Sequence, residues 1–338
     1  MSSTVAAVKE PTWQSVVTPY KEGNAWLAVF HIAVGVAILA VSWTGMAWAY
    51  DMPWGKLWGL ALAVPAGAML VRLFAIQHDC GHQALFNQTW ANDLVGRLLG
   101  PWVMTPYTQW AREHAKHHAT SGHLDYRGVG DVDTWTVKEY REASAWARFR
   151  YRVVRHPVFL FGPGATGYFL FVQRFVRFQA DRKDAWLSVW STNAVMAAYI
   201  VGGCLWLGTG RFFWMWVPTA AFASMLGTWI FYIGHQYTDT YWAKEGEWDF
   251  FEAAMRGASF YRPGALIDFA TCNIGYHHIH HLCSRIPFYN LPRCHNENPM
   301  FHVKPLWLVE SLRCAKLALW DEDRKRLVTF KEALAPSA

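Results

Sequence analysis

Residues 158–173 read VFLFGPGATGYFLFVQ, and whether this stretch crosses a bilayer decides how the whole chain is arranged. It is apolar but short, Gly162, Pro163 and Gly164 interrupt it, and Arg174 and Arg177 follow. A helix needs about 20 apolar residues to span a hydrocarbon core of roughly 30 Å. The stretch is therefore read as interfacial or re-entrant, not spanning.

Longer apolar runs lie on either side. Residues 25–49, 185–210 and 212–238 contain no Asp, Glu, Lys or Arg, and 57–77 contain only Arg72. The predicted spans are 25–49, 57–77, 185–208 and 212–235. They pair as two hairpins, turning at YDMPWGK (50–56) and GTGR (208–211). Only 17% of the chain is charged, against about 25% in soluble domains. Its 21 Trp and 21 Phe suit membrane interfaces, where amphipathic aromatics collect. The expected fold class is an all-α integral membrane protein. One domain covers 1–338, with four transmembrane helices and a helical cytoplasmic cap built from 78–184 and 239–338.

Charge sets the expected orientation. Outside the spans and hairpin turns lie 28 of the 31 Lys and Arg residues. Lys21, Arg72, Arg182, Lys183 and Lys244 flank span ends on one side, which the positive-inside rule makes cytoplasmic. Both termini follow, and a net charge of +6 suits a face resting on anionic phospholipid. No basic run is interleaved with a soluble fold, so nucleic acid is not an expected partner. Residues 1–24 carry Lys9, Glu10, Pro11 and Pro19 without an apolar core, so no cleavable leader is expected. The six cysteines show no CxxC spacing and are expected reduced. The tail DEDRKRLVTFKEALAPSA reads as a charged, partly helical end.

Fifteen histidines are present, and most are clustered. HDCGH holds His78 and His82. HAKHH holds His114, His117 and His118. GYHHIHHL holds His277, His278, His280 and His281. Positions i, i+3 and i+4 share a helix face, so each box presents its rings together, with His278 out of phase. No Gly or Pro lies between Ala68 and Cys80, so the second span can carry the first box beyond the membrane. The three boxes share one side only if 158–173 does not cross. Neutral imidazole is the commonest protein metal ligand, and eight exceed what one tetrahedral zinc needs. Two metals with open positions fit better, and imidazole suits iron, copper, nickel and zinc alike.

The order HxxxH, HxxHH, HxxHH, with the second hairpin between the last two boxes, resembles the membrane fatty acid desaturases. HDCGHQALFNQTWANDLVGRLLG, WAREHAKHHATSGHLDYRGVGDVDTWTV, FYIGHQYTDTYW and NIGYHHIHHLCSRIPFYNL are similar to the bacterial acyl-lipid branch, near the omega-6 (delta-12) enzymes. The resemblance covers roughly residues 55 to 310. It implies a non-haem di-iron centre at the cytoplasmic face of a bacterial inner membrane. There O2 and two electrons place a cis double bond in an acyl chain. Carried over by position, the iron ligands are His78, His82, His114, His117, His118, His277, His280 and His281, with His235 just beyond the fourth span. A related branch uses an asparagine one turn before that last histidine to hold a metal-bound water. Thr228, Trp229, Ile230 and Phe231 stand there instead, and Asn273 is a substitute. His123 departs from an expected asparagine and is read as a surface variant.

His278 is read as a second-sphere or surface residue, His31 as a neutral packing histidine inside the first span, and His156, His295 and His302 as ordinary. Asp79, Asp125, Asp131 and Asp133 lie beside the boxes, where each either orients a ligating ring or caps a turn. No haem-binding HPGG, CxxCH or iron–sulfur cysteine run is present. The expected electron source is an external ferredoxin or cytochrome-type reductase chain. Two alternatives stand beside acyl-lipid desaturation. One is a hydroxylase of the same superfamily acting on a lipid, alkane or carotenoid. The other, less favoured, is metal transport, which would place ligands at the bilayer midplane, often in repeats.

Overall fold

A computed structural model describes residues 12–335. Lys9, Glu10 and Pro11 of the expected leader-free N-terminus lie outside the described residues.

Along the chain, α1 (Ala25–Ala49) starts where the Asn24 side chain accepts the Leu27 N–H at 3.1 Å, satisfying a donor that the helix leaves free. It turns directly into α2 (Gly55–Gly81). A Cβ on Gly55 would lie 1.6 Å from the Ala49 carbonyl oxygen, so this turn closes only on glycine. α3 (Thr89–Leu99) folds back along the end of α2, and α4 (Tyr107–Thr120) carries the second box. After α5 (Ala145–Arg155) comes the 158–173 stretch. It forms short helical turns that break at Gly162 (φ −102°, ψ −107°) and end in α6 (Ala165–Leu170). The second hairpin is α7 (Lys183–Leu207) and α8 (Thr209–His235), joined at Gly208 with φ +82°. α9 (His277–Leu282) carries the third box.

Among the described residues, four helices are long and apolar enough to cross a membrane: α1, α2, α7 and α8. They match the predicted spans, with α2 running on through His78 to Gly81. The broken stretch is not among them. Its Phe161 ring sits 5.1 and 5.2 Å from the Trp229 and Tyr232 rings of α8. Arg174 ties its end to Asn193 of α7 at 2.8 Å and to the Met104 carbonyl. Arg72, within α2, is buried. It donates to the Phe269 carbonyl and to His31 Nδ1, so the only charge predicted inside that span finds polar partners in place of water. His31 accepts this bond, which requires a neutral ring nitrogen, and packs 4.9 Å from Phe288.

The part outside the spans is not purely helical. β1 (Trp135–Thr136), β4 (Leu317–Asp321) and β5 (Arg326–Thr329) form one small sheet in the order β1-β4-β5, and β2 (Phe260–Arg262) pairs in parallel with β3 (Pro305–Trp307). Much of the charged tail is thus a β-hairpin, followed by a helical turn at Phe330–Leu334. The alternation in Leu317–Asp321 is hidden because four of its five residues are buried, so it lacks the period of a half-exposed strand.

Candidate metal centre

The helix-borne histidines converge at one end of the four long helices. α2 supplies His78 in its last turn and His82 as its C-cap residue. α4 supplies His114, His117 and His118, α8 ends on His235, and α9 supplies His277, His280 and His281. Boxes on both sides of the 158–173 stretch therefore meet at a single site, which requires that stretch to return to the face it left.

The rings sort into two groups. His78, His82, His114, His118 and His280 form the first, with one ring nitrogen from each lying within 4.8 Å of the others. His117, His235 and His281 form the second, and His277 joins them with its Nε2 3.0 Å from His235 Nε2. Each HxxHH box is split. In α4 the i, i+4 pair His114 and His118 faces the first group and His117 the second. In α9 the pair His277 and His281 faces the second group and His280 the first. The 100° step between neighbouring helix positions lets one short helix serve two centres.

The donor chemistry suits cations. His235 Nδ1 donates to the Gly257 carbonyl at 2.9 Å, and His117 Nδ1 meets the Asp131 carboxylate. Both rings then turn their Nε2 atoms toward each other, 3.1 Å apart. Similar Nε2 pairs are His114–His118 and His118–His280, both at 3.1 Å. Burial holds His114, His118, His277, His280 and His281 well below the ordinary histidine pKa, so these rings are neutral and each has one nitrogen lone pair to offer a cation. Each such pair therefore offers at least one free lone pair to a shared cation. Two nitrogens each about 2.1 Å from one ion and roughly 90° apart sit about 3.0 Å from each other, whereas a tetrahedral angle gives about 3.4 Å. The observed 3.0–3.1 Å is close enough for neighbouring rings to share one ion, and it is equally the length of an N–H···N hydrogen bond.

The neighbouring aspartates divide. Asp79 Oδ1 lies 3.3 Å from His78 Nδ1, while its Oδ2 accepts the Phe288 N–H at 2.7 Å. Asp131 holds His117. Asp125 instead accepts the Glu245 N–H and Asp133 the Trp135 indole N–H, so neither orients a ring. His278 stays out of both groups. It is buried, not on the surface, with Nε2 bonded to the Phe301 carbonyl at 3.0 Å. His123 is also buried, between Tyr126, Trp248 and Glu245, which corrects its reading as a surface variant. The turn before His235 presents Phe231, whose ring is 5.4 Å from His117. Asn273 makes only backbone hydrogen bonds, so no water-holding amide contact is seen at either position. Trp110 escaped the sequence reading. It stacks 4.7 Å from His114 and lies 5.6 Å from His78, and its place one turn before His114 was the available signal.

An apolar cleft opens between the two hairpins, lined by Leu70, Val71 and Phe74 of α2, Val103, Met104, Phe169, and Ala223, Ser224 and Gly227 of α8. Phe74 lies 5.2 Å from Trp110, so these two rings separate the cleft from the first histidine group.

Residues 56–304 match the family model described as fatty acid desaturase. This chain belongs to the fatty acid desaturase family. A protein of Bacillus subtilis named fatty acid desaturase is 38% identical over 80% of this chain and 77% of its own length. The sn-1 oleoyl-lipid 12-desaturase of Synechocystis is 25% identical over 81% of this chain and 76% of its own. The sn-1 acyl-lipid omega-3 desaturase (ferredoxin) of Nostoc is 29% identical over 67% and 63%. As a family member the chain is a membrane-type desaturase homologue, and its relatives' names span more than one double-bond position.

Proposed function

We propose that this protein is an acyl-lipid desaturase. The two convergent imidazole groups carry the reading. In it, His78, His82, His114, His118 and His280 hold one iron ion, and His117, His235, His277 and His281 hold the other. When bound, the pair would supply the oxidising power, with O2, two electrons and two protons taking two hydrogens from adjacent carbons to leave one double bond and two waters. The chain's own groups do the rest. Asp131 and the Gly257 carbonyl set the tautomers of His117 and His235. Phe74, Trp110 and Phe231 keep the surroundings dry and apolar, as an unactivated acyl chain requires. The cleft between α2 and α8 offers that chain a route from the bilayer.

One membrane domain, set in a bacterial inner membrane with the histidine face and both termini cytoplasmic, completes the reading. Electrons come from an external ferredoxin or cytochrome-type chain, as the Nostoc relative's name supports. The test is expression in a host whose lipids lack the product, followed by mapping of acyl double bonds. A new double bond that disappears in His117→Ala is expected. A new hydroxyl, or unchanged lipids despite iron loading and a competent reductase, would overturn it, as would an active protein holding only zinc.

A further inference from the structure

Residues 143–180 carry six arginines, at 148, 150, 152, 155, 174 and 177, and no aspartate or glutamate. Among the described residues only Arg177 pairs with a carboxylate, that of Glu113. The metal centre uses none of these arginines. The same segment exposes unusual apolar area. On α5, Trp146, Phe149 and Val153 fall at i, i+3 and i+7 and form one outward stripe, with Trp146 66% and Phe149 56% exposed. Val158 (72%) and Phe171 (67%) extend it along the broken stretch. The opposite side of α5 is occupied. Tyr151 donates to the Ala318 carbonyl of β4, and Arg155 reaches Gln236 and the Leu317 carbonyl.

We infer that α5 and the broken stretch after it form a docking surface for anionic phospholipid. Trp146, Phe149 and Val158 enter the headgroup boundary, and Arg150, exposed and about 40° from Trp146 on the helix, meets a lipid phosphate. An amphipathic helix with arginines beside an aromatic stripe lies in the interface plane and binds by apolar burial plus attraction to anionic lipid. The position is fixed by the fold. Phe161 packs on Trp229 and Tyr232 of α8, and Arg174 bonds to Asn193 of α7, so the segment sits against two spans at their histidine end. An acidic electron-donor protein would match the charge, but it would have to cover a surface pressed to the bilayer.

The experiment is native mass spectrometry of the full chain in detergent, with phosphatidylglycerol and phosphatidylcholine of identical acyl chains. Wild type should retain phosphatidylglycerol preferentially. Arg150→Gln should cut that preference about fivefold, the effect of one basic residue near such a surface. Arg150→Lys should keep it. Hydrogen exchange of residues 145–155 in wild type, slower in phosphatidylglycerol than phosphatidylcholine nanodiscs, gives a readout that needs no variant. Equal retention of the two lipids, an unchanged preference in the glutamine variant, or equal exchange rates would overturn the inference. So would a raised KM for the reduced donor protein with lipid preference intact, which would assign the face to a protein.

Discussion

His117 donates from Nδ1 to Asp131 and is left with Nε2 for the second histidine group. Outer partners of this kind tune ligand basicity and orientation, and losing one typically costs 10–100-fold in metal affinity. Asp131→Ala is therefore expected to weaken metal binding by about tenfold or more, measured by chelator competition. Asp125→Ala should leave it unchanged, because the Asp125 carboxylate accepts a backbone N–H and reaches none of the clustered imidazoles. Equal effects from the two would remove the assigned role of Asp131. Gly234 has a different duty. A Cβ there would lie 2.8 Å from His277 Cδ2 and 2.9 Å from its Nε2. Gly234→Ala should push His277 aside, lowering bound metal per chain while the helical circular dichroism persists. Unchanged metal content would contradict this. The rings themselves were legible from spacing, but these supports were not. Asp79, Asp125, Asp131 and Asp133 look alike in sequence, and only the fold decides which meets an imidazole. His123 was misjudged for the same reason: its cover comes from Trp248 and Glu245, more than a hundred residues away.

The long helices were readable because lipid imposes a simple rule: about 20 apolar residues with every backbone group bonded inside the segment. The box helices were readable because i, i+3 and i+4 repeat. Their division between two groups was not, since it depends on how α4 and α9 are rotated against α2 and α8. The strands were missed because β1 has two residues and β4 is nearly all buried, which leaves no alternating pattern to detect. The cleft belongs to this scale too, because neither α2 nor α8 contains it alone. Ala223 is buried on its wall, and a leucine there adds three carbons to that space. Overpacking a fitted site typically costs about 1–3 kcal/mol. If the cleft holds substrate, Ala223→Leu should lower turnover or shift the preferred chain length while metal content stays at the wild-type level. Fatty-acid profiling with matched metal analysis checks this, and an unaltered profile would show that the acyl chain lies elsewhere.

At the scale of the molecule, buried histidines lie in a single region, and this couples folding to pH. Burial lowers the pKa of His114, His118, His277, His280 and His281, and pushes His278 down to about 3. An unfolded histidine titrates near about 6.5, so below that pH the unfolded chain binds protons that the folded chain refuses. Stability then rises with pH across this window and is fully present above it. For His278 the loss begins near pH 6.5 and continues down to about 3, at roughly 1.4 kcal/mol per pH unit. Bound metal steepens the loss, because protons compete for the same nitrogens. The melting temperature of the purified protein should therefore be flat above about pH 7 and fall continuously below about 6.5, faster for the metal-loaded form than for the stripped one. His278 separates the two contributions, since it lies outside both groups and bonds to the Phe301 carbonyl. His278→Gln should lessen the acid slope of the stripped protein, by removing one titrating ring, without changing the number of metal ions bound. A melting temperature constant from pH 7 to pH 4 would mean that the rings are protonated or solvated in the fold, contrary to their burial.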